Sequence, residues 1–364
     1  MGFIRILAKA AILFVLFNGL FLISDPLTAL GRLSGYNRIF PGRPRYPFGE
    51  APERAYNFTL ANLEAMVAAH EVSGPRPAGE YRVFLIGDSS VWGTLLRPEE
   101  TLAGALNARQ LTAPDGRRVR ALNLGYPTLS LTKDLLLLER VRAFQPDLII
   151  WLVTLESLPR SQQLESPLLQ QNAPAVRDLI ARYGLQLDPG DPRLEDTDAW
   201  SRTLIGQRRG LADLLRLQLY GPVWAATGID QDYPDTFTPR QEDLAPETDY
   251  YGLARPLRAE DLAFDVLAAG HAIAGDVPIL LINEPIFVSQ GANSDLRYNF
   301  YYPRWAYDHY RQLLAAEAER QGWALVDLWD LVPGEAFTNS AIHYSAAGSQ
   351  LVAERLEGIL VEAE

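Results

Sequence analysis

Residues 81–93 read YRVFLIGDSSVWG, and how they are taken decides the fold. The run 81–87 is apolar and rich in β-formers and ends in glycine, where the tetrad Gly87-Asp88-Ser89-Ser90 begins. A short run that is apolar on both faces fits a strand of a parallel sheet covered by helices. Open parallel sheets place their sites at the carboxyl edge of the strands. A serine there, with glycine allowing a tight turn, presents a hydroxyl and its own backbone N–H. Taken alone, the tetrad is an ordinary strand-to-helix turn with a polar cap.

Outward from this stretch, strands and helices alternate. The pattern predicts a helix over 98–111, a strand over 119–125 (VRALNLG), a strongly apolar helix over 131–144 and a strand over 147–153. It lapses over 157–255, which is polar and proline-interrupted with helical pieces such as 207–219. That length is too great for a structureless loop in a compact domain, so it reads as an insertion or cap beside the site. Alternation resumes with a helix over 258–274, a strand over 277–283 (VPILLIN), a helix over 302–320, a strand over 323–328 and a helix over 345–362. The expectation is a flavodoxin-like three-layer α/β sandwich of about five parallel strands, occupying 80–364. Before it, 26–50 is rich in Pro, Gly and Arg and reads as a linker or an extended segment packed on the domain. The stretch 57–70 has helical spacing, so 26–79 is a linker with an N-terminal helical segment.

The first residues have a different character. Residues 10–23 carry no charge, and Arg5 and Lys9 lie near one end of the apolar stretch 3–23. A spanning helix needs roughly 20 mostly apolar residues. A cleaved signal peptide and a buried core helix are the alternatives. No A-x-A-like site follows, and Ser24-Asp25-Pro26 is a poor exit. The expectation is an uncleaved single-pass anchor over 1–25, with the larger domain extracytoplasmic. Arg5 and Lys9 favour a cytoplasmic N-terminus, whereas Arg32, Arg38, Arg43 and Arg45 after the span weaken that inference.

Composition excludes several classes. Of 364 residues, 45 are acidic and 33 basic, and the net charge of -12 argues against a nucleic-acid partner. There is no cysteine, which rules out disulfides, thiolate catalysis and iron–sulfur clusters. The four histidines, His70, His271, His309 and His343, include no helical pair of ligands. No metal or organic cofactor is implied.

Two further blocks bear on chemistry. His343 lies in Ser340-Ala341-Ile342-His343-Tyr344, between the last strand and the last helix. A lone histidine is more often structural, but this loop opens on the edge that holds Ser89, and a hydroxyl nucleophile needs a base. Asn123-Leu124-Gly125-Tyr126 ends the second strand, where glycine lets a backbone N–H approach an oxyanion. Alone it is an ordinary strand-ending glycine. Asn283-Glu284-Pro285 ends the fourth strand and reads equally as cleft lining or as a turn. The aromatics of 298–310 suit sugars or acyl chains, though at helical spacing they are more often core.

The tetrad, Gly125 and His343 together resemble the SGNH (GDSL-like) hydrolase superfamily over about 80–362, without the insertion. The resemblance implies Ser89 as nucleophile, His343 as base, and the N–H groups of Ser89 and Gly125 as an oxyanion hole. Two blocks depart from the family's pattern. Glu156 stands where the family has its oxyanion asparagine, and a carboxylate donates no hydrogen bond unless protonated. Ser340 stands where the family has the aspartate that orients histidine, with Asn339 beside it. Both weigh against efficient hydrolysis. Asp88, Glu156, Asn339 and Ser340 are the candidate supporting residues. Glu156 ends an apolar strand at what reads as a solvent-facing edge, so it is expected to turn outward. The layout also resembles SGNH-type proteins that work with membrane-bound O-acyltransferases on cell-surface polymers. The implied function is a serine esterase or O-acyltransferase acting on acyl esters of envelope glycans, with a membrane-bound O-acyltransferase as partner. The alternative is a catalytically degraded module for glycan binding or envelope assembly.

Overall fold

Five strands, β1 Glu80–Ile86, β2 Arg118–Asn123, β3 Leu148–Val153, β4 Ile279–Asn283 and β5 Ala324–Asp327, form one all-parallel sheet in the order β2-β1-β3-β4-β5. This is the flavodoxin-like order, with its switch point beside β1. The structure is a computed structural model that describes residues 2–57 and 59–362. Met1 of the expected anchor, Phe58 of the segment read as helical, and the last two residues of the 80–364 domain lie outside them.

The period of two along each strand sorts the core into two layers. Phe84, Ile86, Ile149, Trp151 and Val153 face one cluster, and Val83, Leu85, Ile150 and Leu152 face the other. In chain order the helices are α1 Gly2–Ser24, α2 Leu27–Gly31, α3 Leu63–Ala69, α4 Ser89–Trp92, α5 Leu102–Ala108, α6 Leu131–Val141, α7 Pro167–Gln170, α8 Ala173–Tyr183, α9 Arg208–Leu219, α10 Gly221–Thr227, α11 Phe264–Ala274, α12 Arg304–Gln321 and α13 Ala346–Glu362. Helices α5 and α13 cover the second face, and α3, α6, α8, α11 and α12 cover the first. Trp151 on β3 packs where α11 carries Gly270, and a Cβ there would lie 2.2 Å from the indole ring. Any larger residue at 270 would push α11 off the sheet.

The segment read over 98–111 is two pieces. A 3₁₀ turn at Pro98–Glu100 stops at Thr101, whose hydroxyl accepts from Gly104 N–H and restarts the chain as α5. Residues 26–79 are not a free tether. Tyr46, Leu63, Met66 and Val72 are buried in the first cluster, and Arg43 makes a buried ion pair with Asp230. Helix α1 is exposed and apolar, and is long enough to cross a membrane.

The segment 157–255 divides by what it packs on. Helices α7 and α8 extend the first core layer through Leu168, Leu169 and Val176. Helix α9 packs on α2 and on the loop after it, where Tyr36 OH donates to Leu217 O at 2.9 Å. The last part returns to the carboxyl edge of the sheet, where Arg240 donates to Gly334 O at 2.6 Å and Phe337 O at 3.2 Å.

Candidate active site

Helix α4 begins two residues after β1, and Asp88 is its N-cap, accepting from Ser90 N–H at 2.8 Å. Ser89 is the first helical residue, so its own N–H has no intrahelical acceptor. It is partly exposed between the buried Asp88 and Ser90. The turn is held from both ends. On one side the fully buried Lys133 of α6 donates to Gly87 O at 2.8 Å and Tyr126 O at 2.9 Å, and pairs with Asp134 at 2.5 Å. On the other, Arg45 donates to Gly93 O at 2.9 Å and Leu96 O at 3.0 Å, with its guanidinium 4.3 Å from the Trp92 ring.

His343 comes from the loop before α13. A bridge between Phe337 and Tyr344, with Thr338 N–H donating to His343 O at 2.8 Å, folds this loop back on itself. The result brings together residues 254 positions apart: His343 Nε2 lies 2.8 Å from Ser89 Oγ. His343 Nδ1 lies 2.9 Å from Asn339 Oδ1. An amide oxygen only accepts, so Nδ1 carries the proton and Nε2 is free to accept from the Ser89 hydroxyl. That is the tautomer a general base requires. The ring keeps a water-accessible edge, but the surrounding protein desolvates it, and this pushes the imidazole down to about 4. It is therefore neutral at physiological pH.

Of the two residues expected beside His343, Asn339 reaches it and Ser340 does not. The Ser340 side chain is buried and makes no hydrogen bond to the imidazole. No carboxylate hydrogen-bonds His343 among the described residues.

Gly125 sits against α4 so closely that a Cβ would lie 2.5 Å from Trp92 N, so only glycine allows this approach. Its N–H, however, is donated to Asn123 Oδ1 at 3.2 Å. The expected pair of open donors is therefore not laid out. Ser89 offers an uncommitted N–H, and Gly125 offers one only if that long bond to Asn123 is given up.

Glu156 corrects a second expectation. It does not turn outward: it is 9% exposed, and Tyr250 OH donates to its Oε2 at 3.1 Å while Tyr251 OH donates to its Oε1. The insertion folds over the end of β3, so this edge faces protein rather than water. Burial pushes the carboxyl up, and the two tyrosine hydroxyls pull it back by satisfying the charged form.

Beneath Ser89 lies a pair of buried carboxyl groups, Asp88 and Glu284. Glu284, fully buried after β4, accepts at Oε2 from Ser90 Oγ and from Tyr344 OH, the latter at 3.0 Å. Burial, and then the charge of Asp88, push the Glu284 carboxyl well above its ordinary value, and burial raises Asp88 as well. Glu284 is thus part of the floor under the Ser89 turn, not a wall of an open cleft. The aromatic run divides: Tyr298, Tyr302, Tyr307 and Tyr310 are core, and Tyr301 is partly exposed.

Sequence reasoning missed Lys133, Arg45, Tyr250 and Tyr251. Lys133-Asp134 left a signal, being a charged pair inside an otherwise apolar helix. The tyrosines left none, because only the path of the insertion brings them to Glu156.

No protein-family model matches the chain, and no curated protein sequence matches it. Solved structures do. A carbohydrate acetylesterase from Sinorhizobium meliloti is 13% identical, with 78% of this chain and 99% of that one covered and a TM-score of 0.34. A member of the lipolytic G-D-S-L family from Veillonella parvula is 10% identical, with 78% and 98% covered and a TM-score of 0.37. An aryl esterase from M. smegmatis is 13% identical, with 76% and 97% covered and a TM-score of 0.33. No residue role is carried over from these proteins.

Proposed function

We propose that the protein is a serine esterase or O-acyltransferase of the SGNH type, acting on acyl esters. The observation that carries this reading is the chain Ser89 Oγ, His343 Nε2, His343 Nδ1, Asn339 Oδ1, with contacts of 2.8 and 2.9 Å. Ser89 Oγ attacks the acyl carbonyl as its proton passes to His343 Nε2. The leaving alkoxide takes that proton, and an acyl–Ser89 ester remains. A second hydroxyl, from water or a sugar, gives its proton to His343 and attacks the ester; as the bond to Ser89 Oγ breaks, His343 returns the proton to Ser89 and the acyl group leaves on the acceptor. Ser89 N–H faces the developing oxyanion, joined by Gly125 N–H once released from Asn123. Asn339 holds the tautomer but adds no negative charge to stabilise the imidazolium.

The acceptor and the acyl group belong to the same proposal. An exposed apolar α1 supports a membrane-held enzyme whose body is extracytoplasmic, and such a placement suits an envelope glycan as acyl donor or acceptor. A membrane-bound O-acyltransferase is the partner this layout fits. The test is turnover of an activated acetyl ester together with labelling by a fluorophosphonate. Wild type should react with both, and Ser89→Ala with neither.

A second reading has its own support. Glu156 replaces a donor with a buried carboxylate, and the Gly125 N–H is engaged, so the fold suits a non-catalytic glycan-binding module. Glycan binding by wild type and Ser89→Ala alike, with no labelling of either, would favour it.

A further inference from the structure

We propose that the surface around the exit of α1 is a foot that beds in the lipid headgroup layer and fixes the body's orientation on the bilayer. This rests on reading α1 as a retained span. The first observation is depth. Ile205 N–H donates to Asn18 Oδ1 at 3.2 Å, and Gln207 donates to Asp25 at 2.9 Å. Asn18 lies six residues inside the end of α1 at Ser24, about 9 Å along the helix axis at 1.5 Å per residue. Within 2–24, partial burial is confined to Asn18, Gly19, Phe21 and Leu22. A helix of 23 residues is about 34 Å long, against a hydrocarbon core of about 30 Å. About 25 Å of helix then lies on the far side of Asn18, close to the shortest span, so when α1 spans the loop that clasps Asn18 is carried to the boundary between headgroups and hydrocarbon.

The second observation is what this region exposes. Trp200, in the same loop, is 63% exposed, and tryptophan suits the membrane interface. Leu215, Leu219 and Val223 recur at intervals of four across α9 and α10 and are all exposed, the last two at 66% and 60%. The loop that α9 packs on exposes Leu33 and Ile39 as well, with Gly35 N–H donating to Gln218 at 2.8 Å. An unpartnered apolar stripe of this kind marks a binding surface.

Charge gives the third observation. In a chain of net charge -12, residues 201–220 carry Arg202, Arg208, Arg209 and Arg216 against a single acid, Asp213. Basic residues flanking an apolar stripe match anionic headgroups. The foot is also joined to the site. Arg43 binds Asp230 and Gly221 O next to α10, and two residues later Arg45 caps α4. A bilayer that fixes the foot would thus fix the orientation of Ser89.

Because the chain has no cysteine, single-cysteine variants can each carry one nitroxide. The full-length protein is reconstituted in vesicles of phosphatidylcholine with phosphatidylglycerol. Trp200→Cys, Leu219→Cys and Val223→Cys report the foot, Leu13→Cys reports the anchor, and Glu319→Cys on α12 reports a solvent-exposed site. Collision with oxygen reads lipid, and collision with a charged nickel chelate reads water. The expected result is that the three foot labels lose nickel accessibility relative to Glu319→Cys and gain oxygen accessibility. Foot labels as open to nickel as Glu319→Cys, with Leu13→Cys in lipid, would overturn the foot and leave the anchor standing. Leu13→Cys open to nickel would overturn the span itself. Foot labels shielded from both reagents would mean that a second copy covers this face, which also overturns the proposal.

Discussion

The residue that most sets the chemistry apart is Asn339. Its amide oxygen selects the base tautomer of His343, yet leaves the imidazole with no carboxylate, and desolvation lowers it to about 4. The base must be neutral to act, so kcat/KM should hold on the acid side until pH falls toward that value. In Asn339→Asp the new carboxylate favours the imidazolium, so the acid limb should move to higher pH, by about one unit or more. Ser340→Asp should not move it, because both ring nitrogens are already engaged, by Asn339 and Ser89, and Ser340 bonds neither. A pH–rate profile of the two variants checks both. Ser89 and His343 were legible because each sits on a loop that a parallel sheet must bring to one edge. Which of Asn339 and Ser340 meets the ring was not legible. The choice depends on the loop closing through Thr338 and His343, a conformation no spacing encodes.

Among elements, the turn that carries Ser89 depends on α6. Lys133 is fully buried, neutralises Asp134 and ties the end of β1 to the loop after β2. Burial pushes Asp134 up to about 6, with Lys133 opposing. Removing one partner of a buried pair typically costs about 3–5 kcal/mol, whereas replacing both with apolar groups can be nearly neutral. Lys133→Met should therefore lower stability to denaturant by about that amount, and adding Asp134→Leu should restore much of it. Equal stability of wild type and Lys133→Met would show that the pair does not hold the turn. The strands were legible to within two residues, because an apolar run bounded by glycine or aspartate leaves little freedom. The insertion was not, since it is held by long-range bonds such as Arg240 to Gly334 O and Tyr250 to Glu156, 94 residues apart. The same closure explains why Glu156 is buried rather than turned to water.

At the scale of the whole molecule, a five-stranded parallel sheet places one serine and one histidine, 254 positions apart, in contact at its carboxyl edge. The central claim is that this contact makes Ser89 a nucleophile. If so, an acyl group must at some moment sit on Ser89. Wild type, Ser89→Ala and His343→Ala are mixed with an activated acetyl ester, quenched in acid and measured by intact mass, with the adduct located by fragmentation. The account predicts a single acetyl adduct on Ser89 in wild type, none in Ser89→Ala, and a much slower appearance in His343→Ala. No adduct on wild type, with the ester left intact, or an adduct that forms equally in Ser89→Ala, would contradict it.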